Sequence, residues 1–173
     1  MAENNRLKNI VISKLAGWFP SLRKRLVDGY QPVSKVGAVP WKSLDKPLSE
    51  CKVAVVTTAG IHHSHQQPFD MMDANGDPTF RVLDADTLWD DFMITHDYYD
   101  HSNARKDPNI VLPLDRLKEF VSEGVIGDLA RKHYGFMGHV DGEHISHLVE
   151  KSARDVADAL KNDQVDLVLL APA

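Results

Sequence analysis

The sequence predicts an α/β fold: a mainly parallel sheet with helices on both faces, preceded by an N-terminal helical arm. Two observations carry this. The runs Val53-Ala54-Val55-Val56 and Val165-Asp166-Leu167-Val168-Leu169-Leu170-Ala171 read as strands buried on both faces. Amphipathic helical patterns alternate with such runs, which is the signature of parallel strands joined by right-handed crossovers. At 173 residues, with 43% hydrophobic and 26% charged residues, the chain has the makeup of one globular domain with a substantial core.

Taken in order, Leu7, Ile10, Val11, Leu15 and Trp18 share one helical face, so an amphipathic helix is expected over residues 5 to 17, ended by Gly17 and Pro20. Residues 21 to 27 are compatible with a further turn or two. Gly29, Pro32, Gly37, Pro40 and Pro47 then mark an extended connector. Residues 1–50 are therefore expected to form an arm, and residues 51–173 an α/β body. The body opens with a strand from Cys51 to Thr58, then a loop from Ala59 to Asp70. A turn at Asn75-Gly76-Asp77-Pro78 leads to a strand at Phe80 to Leu83, and another is expected from Phe92 to Thr95, ending at His96. Pro113 opens a helix with Leu114, Leu117 and Val121 inward, closed by Gly124. Val125, Ile126 and Leu129 predict a short helix, and His133 to Val140 a strand or loop. The longest helix is expected from Glu143 to Lys161, with Ile145, Leu148, Val149, Val156 and Leu160 inward, before the last strand.

The net charge of -5 conceals an asymmetry: residues 1 to 50 carry nine Lys/Arg against four Asp/Glu, and the remainder is acidic. The basic arm is expected to meet the acidic body or a partner subunit. No basic stripe interleaved with aromatics points to nucleic acid. No apolar run approaches the roughly 18 residues of a membrane span, and no signal-peptide core is present, so the cytoplasm is the expected compartment. The single cysteine, Cys51, excludes a disulfide framework within the chain and reads as a small structural residue.

Nine histidines is a high count, and His62, His63 and His65 stand just past the first strand, where side chains in open α/β sheets converge on ligands. With Thr58, Gly60 and His96 they form the expected substrate-binding set. His63-Ser64-His65, with His96, Asp100 and His101, leaves a metal site open as an alternative, although Gln67-Pro68 stands where a metallo-hydrolase pattern would place Asp-His. We expect no metal. Gly60 lacks the context of a phosphate cradle, and Asp70, Asp73, Asn75 and Asp77 lack calcium-loop spacing, which favours a solvated turn. His144 and His147 have no Glu between them and do not form a zincin motif.

Four segments together carry a resemblance. They are Val39-Pro40-Trp41 with Lys46-Pro47-Leu48-Ser49; Val53-Ala54-Val55-Val56-Thr57-Thr58-Ala59-Gly60-Ile61-His62 with Gln67-Pro68-Phe69-Asp70 and Gly76-Asp77-Pro78-Thr79-Phe80-Arg81; Thr95-His96 with Tyr99-Asp100, Asp107-Pro108-Asn109 and Pro113-Leu114-Asp115-Arg116-Leu117; and Gly124-Val125-Ile126-Gly127 with His133-Tyr134-Gly135-Phe136-Met137-Gly138. Their succession, over residues 38 to 173, resembles the selenoprotein B subunit family of the glycine, sarcosine, betaine and D-proline reductases. Ala59 departs from it, standing where a second Gly is expected. The resemblance implies reductive cleavage of a carbon-nitrogen bond in a small amino acid or betaine-type substrate, in anaerobic amino-acid metabolism. It implies other reductase subunits as partners and, in some members, a pyruvoyl group on a partner subunit; no cofactor is expected in this chain, and the final strand and the amphipathic arm favour an oligomer.

The resemblance further implies a selenocysteine or cysteine nucleophile just after a strand like the last one here, with the loop from His62 to Asp70 and the segment around His96 facing it. The chain is accordingly expected to be truncated at a UGA codon after Ala173, and inactive by itself. Two alternatives stay open: a noncatalytic small-molecule-binding or assembly module, and a metal-dependent hydrolase using His63, His65 and His96.

Overall fold

The computed structural model describes residues 42–173 together with Lys8, Val11, Ile12, Leu15, residues 18–21 and Lys24. The rest of the predicted arm, including most of the helix expected over residues 5 to 17 and its connector, lies outside the described residues. The fold is mixed α/β. After a 3₁₀ turn at Leu48–Glu50 come β1 (Lys52–Thr57), β2 (Ile61–His63), β3 (Phe80–Asp84), β4 (Phe92–Ile94), α1 (Ser102–Lys106), α2 (Leu114–Ser122), β5 (Asp128–Leu129) and β6 (Lys132–Phe136). The helix α3 (His144–His147) then runs through a wide π turn at Leu148–Ser152 into α4 (Ala153–Asn162), and β7 (Leu167–Ala171) comes last.

The apolar run of β1 makes it the hub of the sheet, because both its edges and both its faces are covered. It pairs in parallel with β7 from Val53↔Leu167 to Thr57↔Ala171. On the opposite edge it pairs in parallel first with β5, at Val53↔Leu129, and then with β6, at Thr57↔Gly135. In the gap between these two short strands, the Val55 N–H donates to Nδ1 of His133 at 2.9 Å, so an imidazole replaces a ladder carbonyl. Alternation does the rest. Val53 and Val55 face Leu83, Leu112, Leu114 and Leu117, whereas Ala54 faces Tyr134, Val156 and Leu160, placing α2 and α4 on opposite faces of the sheet.

The expectation of a mainly parallel sheet needs correction to a mixed one. β3 runs antiparallel to β6, from Phe80↔Phe136 to Asp84↔Lys132, and β2 and β4 form a separate antiparallel ribbon. The cause lies just past β1. Gly60 takes a left-handed φ of +68°, and the chain turns back as β2 instead of crossing over through a helix. The short helix expected around Val125 is also absent: Gly124, at φ +70°, reverses the chain, and residues 125–127 form bends, with Gly127 close against the backbone of Glu50, that lead into β5. In the long helix, the π turn inserts an extra residue and shifts the apolar stripe. Ser152, Val156 and Leu160 are buried, while Val149 is 57% exposed.

Candidate functional site at the carboxyl end of the sheet

β1, β6 and β7 end side by side, and the segments leading out of them converge. The Thr58 N–H donates to the Ala171 carbonyl at 3.2 Å, and the Ala173 N–H donates to Thr58 Oγ1 at 3.1 Å. The Gly60 N–H donates to the Phe136 carbonyl at 2.9 Å, and its carbonyl accepts the Thr95 N–H at 2.9 Å. Those two bonds bring the end of β4 onto the rim and set His96 there. Gly138 completes the cluster: a Cβ at that position would stand 3.0 Å from His96 Nε2, 3.0 Å from the Thr58 carbonyl oxygen and 3.1 Å from that of Ala173.

His96 is only 4% exposed. The Tyr98 N–H points at its Nδ1 and the Gly138 N–H at its Nε2, each at 3.2 Å. Burial, assisted by the charges of His139 and His101, pushes its pKa down to about 4, so the ring is neutral at pH 7. Two tyrosines wall it in. Tyr99 packs edge-on at 4.9 Å and donates its hydroxyl to the Ala59 carbonyl at 3.1 Å, and burial raises its pKa to about 12. Tyr98 stacks on His139 at 4.3 Å.

The structure divides the other histidines from this rim. Because β2 runs back across β6, with the Ile61 carbonyl oxygen only 2.4 Å from where a Cβ on Gly135 would stand, His62, His63 and His65 travel away from the end of β1. His62 is fully buried. Its Nδ1 lies 2.8 Å from the His63 carbonyl and therefore donates, leaving Nε2 to accept from the Thr95 hydroxyl at 2.9 Å. It thus reaches the rim only through Thr95. His63 lies near the amino end of β6, where its Nε2 accepts the Asp84 N–H at 3.0 Å and its ring stacks between Phe92 and His65. Burial lowers its pKa, and the neighbouring His65 adds to this. His65 itself is exposed. So of the expected set, Thr58, Gly60 and His96 come together, His62 braces them from behind, and His63 and His65 do not join them.

Gly138, Tyr98, Tyr99 and His139 were not among the expected site residues. The clustering of Gly135 and Gly138 just before His139 is a pattern suited to close backbone approach, and it was the available sign.

The acidic turn next to the rim has a structural explanation. Asp70, Asp73 and Asp77 accept backbone N–H groups from Met72, Asn75 and Thr79, and Asp73 also takes His144 Nε2 at 2.9 Å. Arg81 bonds Gln67, Pro68, Thr79 and Asp77 and lies 4.4 Å over the Phe69 ring, which commits its guanidinium to holding the loop. An open cleft of about 630 Å³ runs over these residues. Among the described residues, no group of three or more His, Cys, Asp or Glu is placed to hold a metal ion, and no helix is long and apolar enough to cross a membrane.

Comparison with known proteins decides the lineage. The sequence matches the family described as Glycine/sarcosine/betaine reductase selenoprotein B (GRDB) over residues 21–173. The chain belongs to that family. Among curated members of the selenoprotein B group and their relatives, it is 35% identical over 130 residues to the D-proline reductase subunit gamma of Acetoanaerobium sticklandii, covering 75% of this chain and 52% of that one. It is 36% identical over 101 residues to the sarcosine reductase complex component B subunit beta of Peptoclostridium acidaminophilum, covering 57% of this chain and 23% of the relative. To the glycine reductase complex component B subunit gamma of Symbiobacterium thermophilum it is 31% identical over 141 residues, covering 80% of this chain and 32% of the relative. The chain thus spans from about a quarter to about half the length of these relatives. No solved structure matches it.

Proposed function

We propose that this selenoprotein B family chain forms part of a subunit of a cytoplasmic reductase complex that cleaves the carbon-nitrogen bond of a small amino acid or betaine-type substrate. The observation that carries the reading is the meeting of Thr58, His96, Gly138 and Ala173 at the carboxyl ends of β1, β6 and β7, where open α/β sheets place their ligands. On this reading a selenolate or thiolate follows β7, beside His96. That nucleophile attacks the carbon bearing the nitrogen: a carbon-selenium or carbon-sulfur bond forms, the carbon-nitrogen pair leaves on nitrogen, and the amine takes up a proton. A pyruvoyl group, where one takes part, belongs to a partner subunit. The division of the histidines does not favour the hydrolase alternative, because His63 and His65 sit toward the amino end of β6 and His96 at its carboxyl end.

The test uses the native reading frame expressed with its partner subunits. Dithiol-dependent release of amine or ammonia from glycine, sarcosine or betaine, or ring opening of D-proline, is expected, and His96→Ala should lower it by roughly 10²-fold or more. Stoichiometric zinc with hydrolytic activity, or full turnover in His96→Ala, would overturn the reading.

A further inference from the structure

Breaking a carbon-nitrogen bond sends an electron pair onto nitrogen, and an uncharged primary or secondary amine departs readily only if that nitrogen receives a proton as the bond breaks. The rim therefore needs an acid, and His96 is poorly suited to be one. A backbone N–H already stands at each of its ring nitrogens, so the doubly protonated ring would face a donor on both sides. The Tyr99 hydroxyl is committed to the Ala59 carbonyl, and both nitrogens of His62 are bonded inside the fold.

His139 is placed differently. It follows Gly138, the residue at which a Cβ would press on His96 and on the carbonyl oxygens of Thr58 and Ala173. Its side chain is half-buried and stacks on Tyr98 at 4.3 Å. The Cδ2–Nε2 edge of the ring faces the acidic turn: Nε2 lies 3.0 Å from the Ala74 carbonyl oxygen, and Cδ2 lies 3.3 Å from where a Cβ on Gly76 would stand. A carbonyl oxygen only accepts, so Nε2 carries the proton of the neutral ring. Nδ1 is then bare, sits on the opposite edge, and hydrogen-bonds none of the described residues. A positive charge on His139 is felt at His96, whose protonation it opposes, so the two imidazoles share one neighbourhood.

We propose that Nδ1 of His139 delivers the proton to the leaving nitrogen. The assignment rests on the reductase reading above. In the step, the carbon-selenium or carbon-sulfur bond forms, the carbon-nitrogen bond breaks with its pair going to nitrogen, and the Nδ1 proton of the imidazolium moves to that nitrogen, leaving His139 neutral. The Nε2–H stays on the Ala74 carbonyl in both states, so the ring gives up and regains a proton at Nδ1 without turning. His96 is left as a neutral wall of the pocket. The substrate class narrows as well. A quaternary nitrogen leaves as a neutral amine with no proton, so the acid serves a primary or secondary amino acid and not a betaine.

The experiment has two arms. ¹⁵N NMR of the whole chain at about pH 9, where imidazoles are neutral, should show His139 protonated at Nε2 and bare at Nδ1. In the complex assembled from the native reading frame, kcat for glycine, sarcosine or D-proline should fall on the alkaline side, where the acid is deprotonated. His139→Gln keeps an N–H for the Ala74 carbonyl but cannot titrate, so it should lower kcat by roughly 10²-fold near neutral pH and abolish the alkaline fall. Added imidazole should restore part of the activity of His139→Ala. A neutral His139 protonated at Nδ1, an alkaline fall that survives in His139→Gln or vanishes instead in Tyr98→Phe, or turnover confined to betaine would overturn the proposal. The tautomer is read on the unaltered chain, so it decides even where a variant fails to fold. A complex inactive on every one of these substrates would sink the reductase reading and the acid with it, whereas an active complex indifferent to His139→Gln would sink the acid alone.

Discussion

Gly60→Ala is expected to destabilise the fold by roughly 3 kcal/mol, from a left-handed backbone worth about 1 kcal/mol and a clash worth about 2. Gly60 sits at φ +68°, and a Cβ there would lie 2.5 Å from the Thr95 carbonyl oxygen and 2.9 Å from Cβ of His96. Neither neighbour can yield cheaply. Thr95 is held by its N–H bond to Gly60 itself, and His96 is wedged between Tyr99 and Gly138. Gly124→Ala supplies the control: it has φ +70° but nothing within 4 Å, so only the backbone penalty of about 1 kcal/mol should appear. Urea unfolding of the two variants separates the effects. Equal losses would mean that the contact between the first loop and the end of β4 is loose, and the rim could not then hold His96 in place.

Acidification should unfold the protein earlier than its carboxylates alone would dictate. His133 is fully buried, and burial pushes its pKa down to about 4, with the Ala130 backbone opposing this only in part. His96 is likewise held near 4. For a group whose folded pKa is depressed, the unfolded chain binds the proton first. The stabilisation is therefore complete above the ordinary histidine value of about 6.5 and is lost as pH falls from there toward 4, at up to about 3 kcal/mol per site. Asp73, Asp77, Asp84, Asp115 and Asp166, all lowered, add their losses at more acid pH. His133→Asn makes the assignment testable, because its amide oxygen can accept the Val55 N–H as Nδ1 does, without titrating. Urea midpoints at pH 7.5 and 5 should differ about half as much in this variant as in the parent. An unchanged pH slope would place the acid sensitivity elsewhere.

Much of the body was legible because periodicity reports burial. The run through Val53 to Val56 announced a strand covered on both sides, and Leu114, Leu117, Val156 and Leu160 announced the helices that cover it. What escaped was set by contacts between distant segments. The reversal at Gly60 is invisible until Phe136 and Thr95 are known to flank it, so the histidine-rich loop looked like a single ligand cluster when it is a strand leading away. The π turn likewise hid from a 3.6-residue pattern, which misplaced Val149. The pairing of β5 and β6 on one edge depends on a histidine side chain completing a backbone ladder, and no local propensity encodes that.

The arrangement of β1 also bears on how the molecule is made. Its partner across the whole of one edge, β7, lies more than a hundred residues downstream, and both partners on the other edge are over seventy residues away. During synthesis the buried central strand leaves the ribosome with no neighbour to bond, and the sheet cannot close until β7 has emerged after it. Such long-range pairing slows folding and leaves a nascent strand open to wrong association, so yield in a host should depend on chaperone supply and translation speed more than the stability of the finished fold suggests.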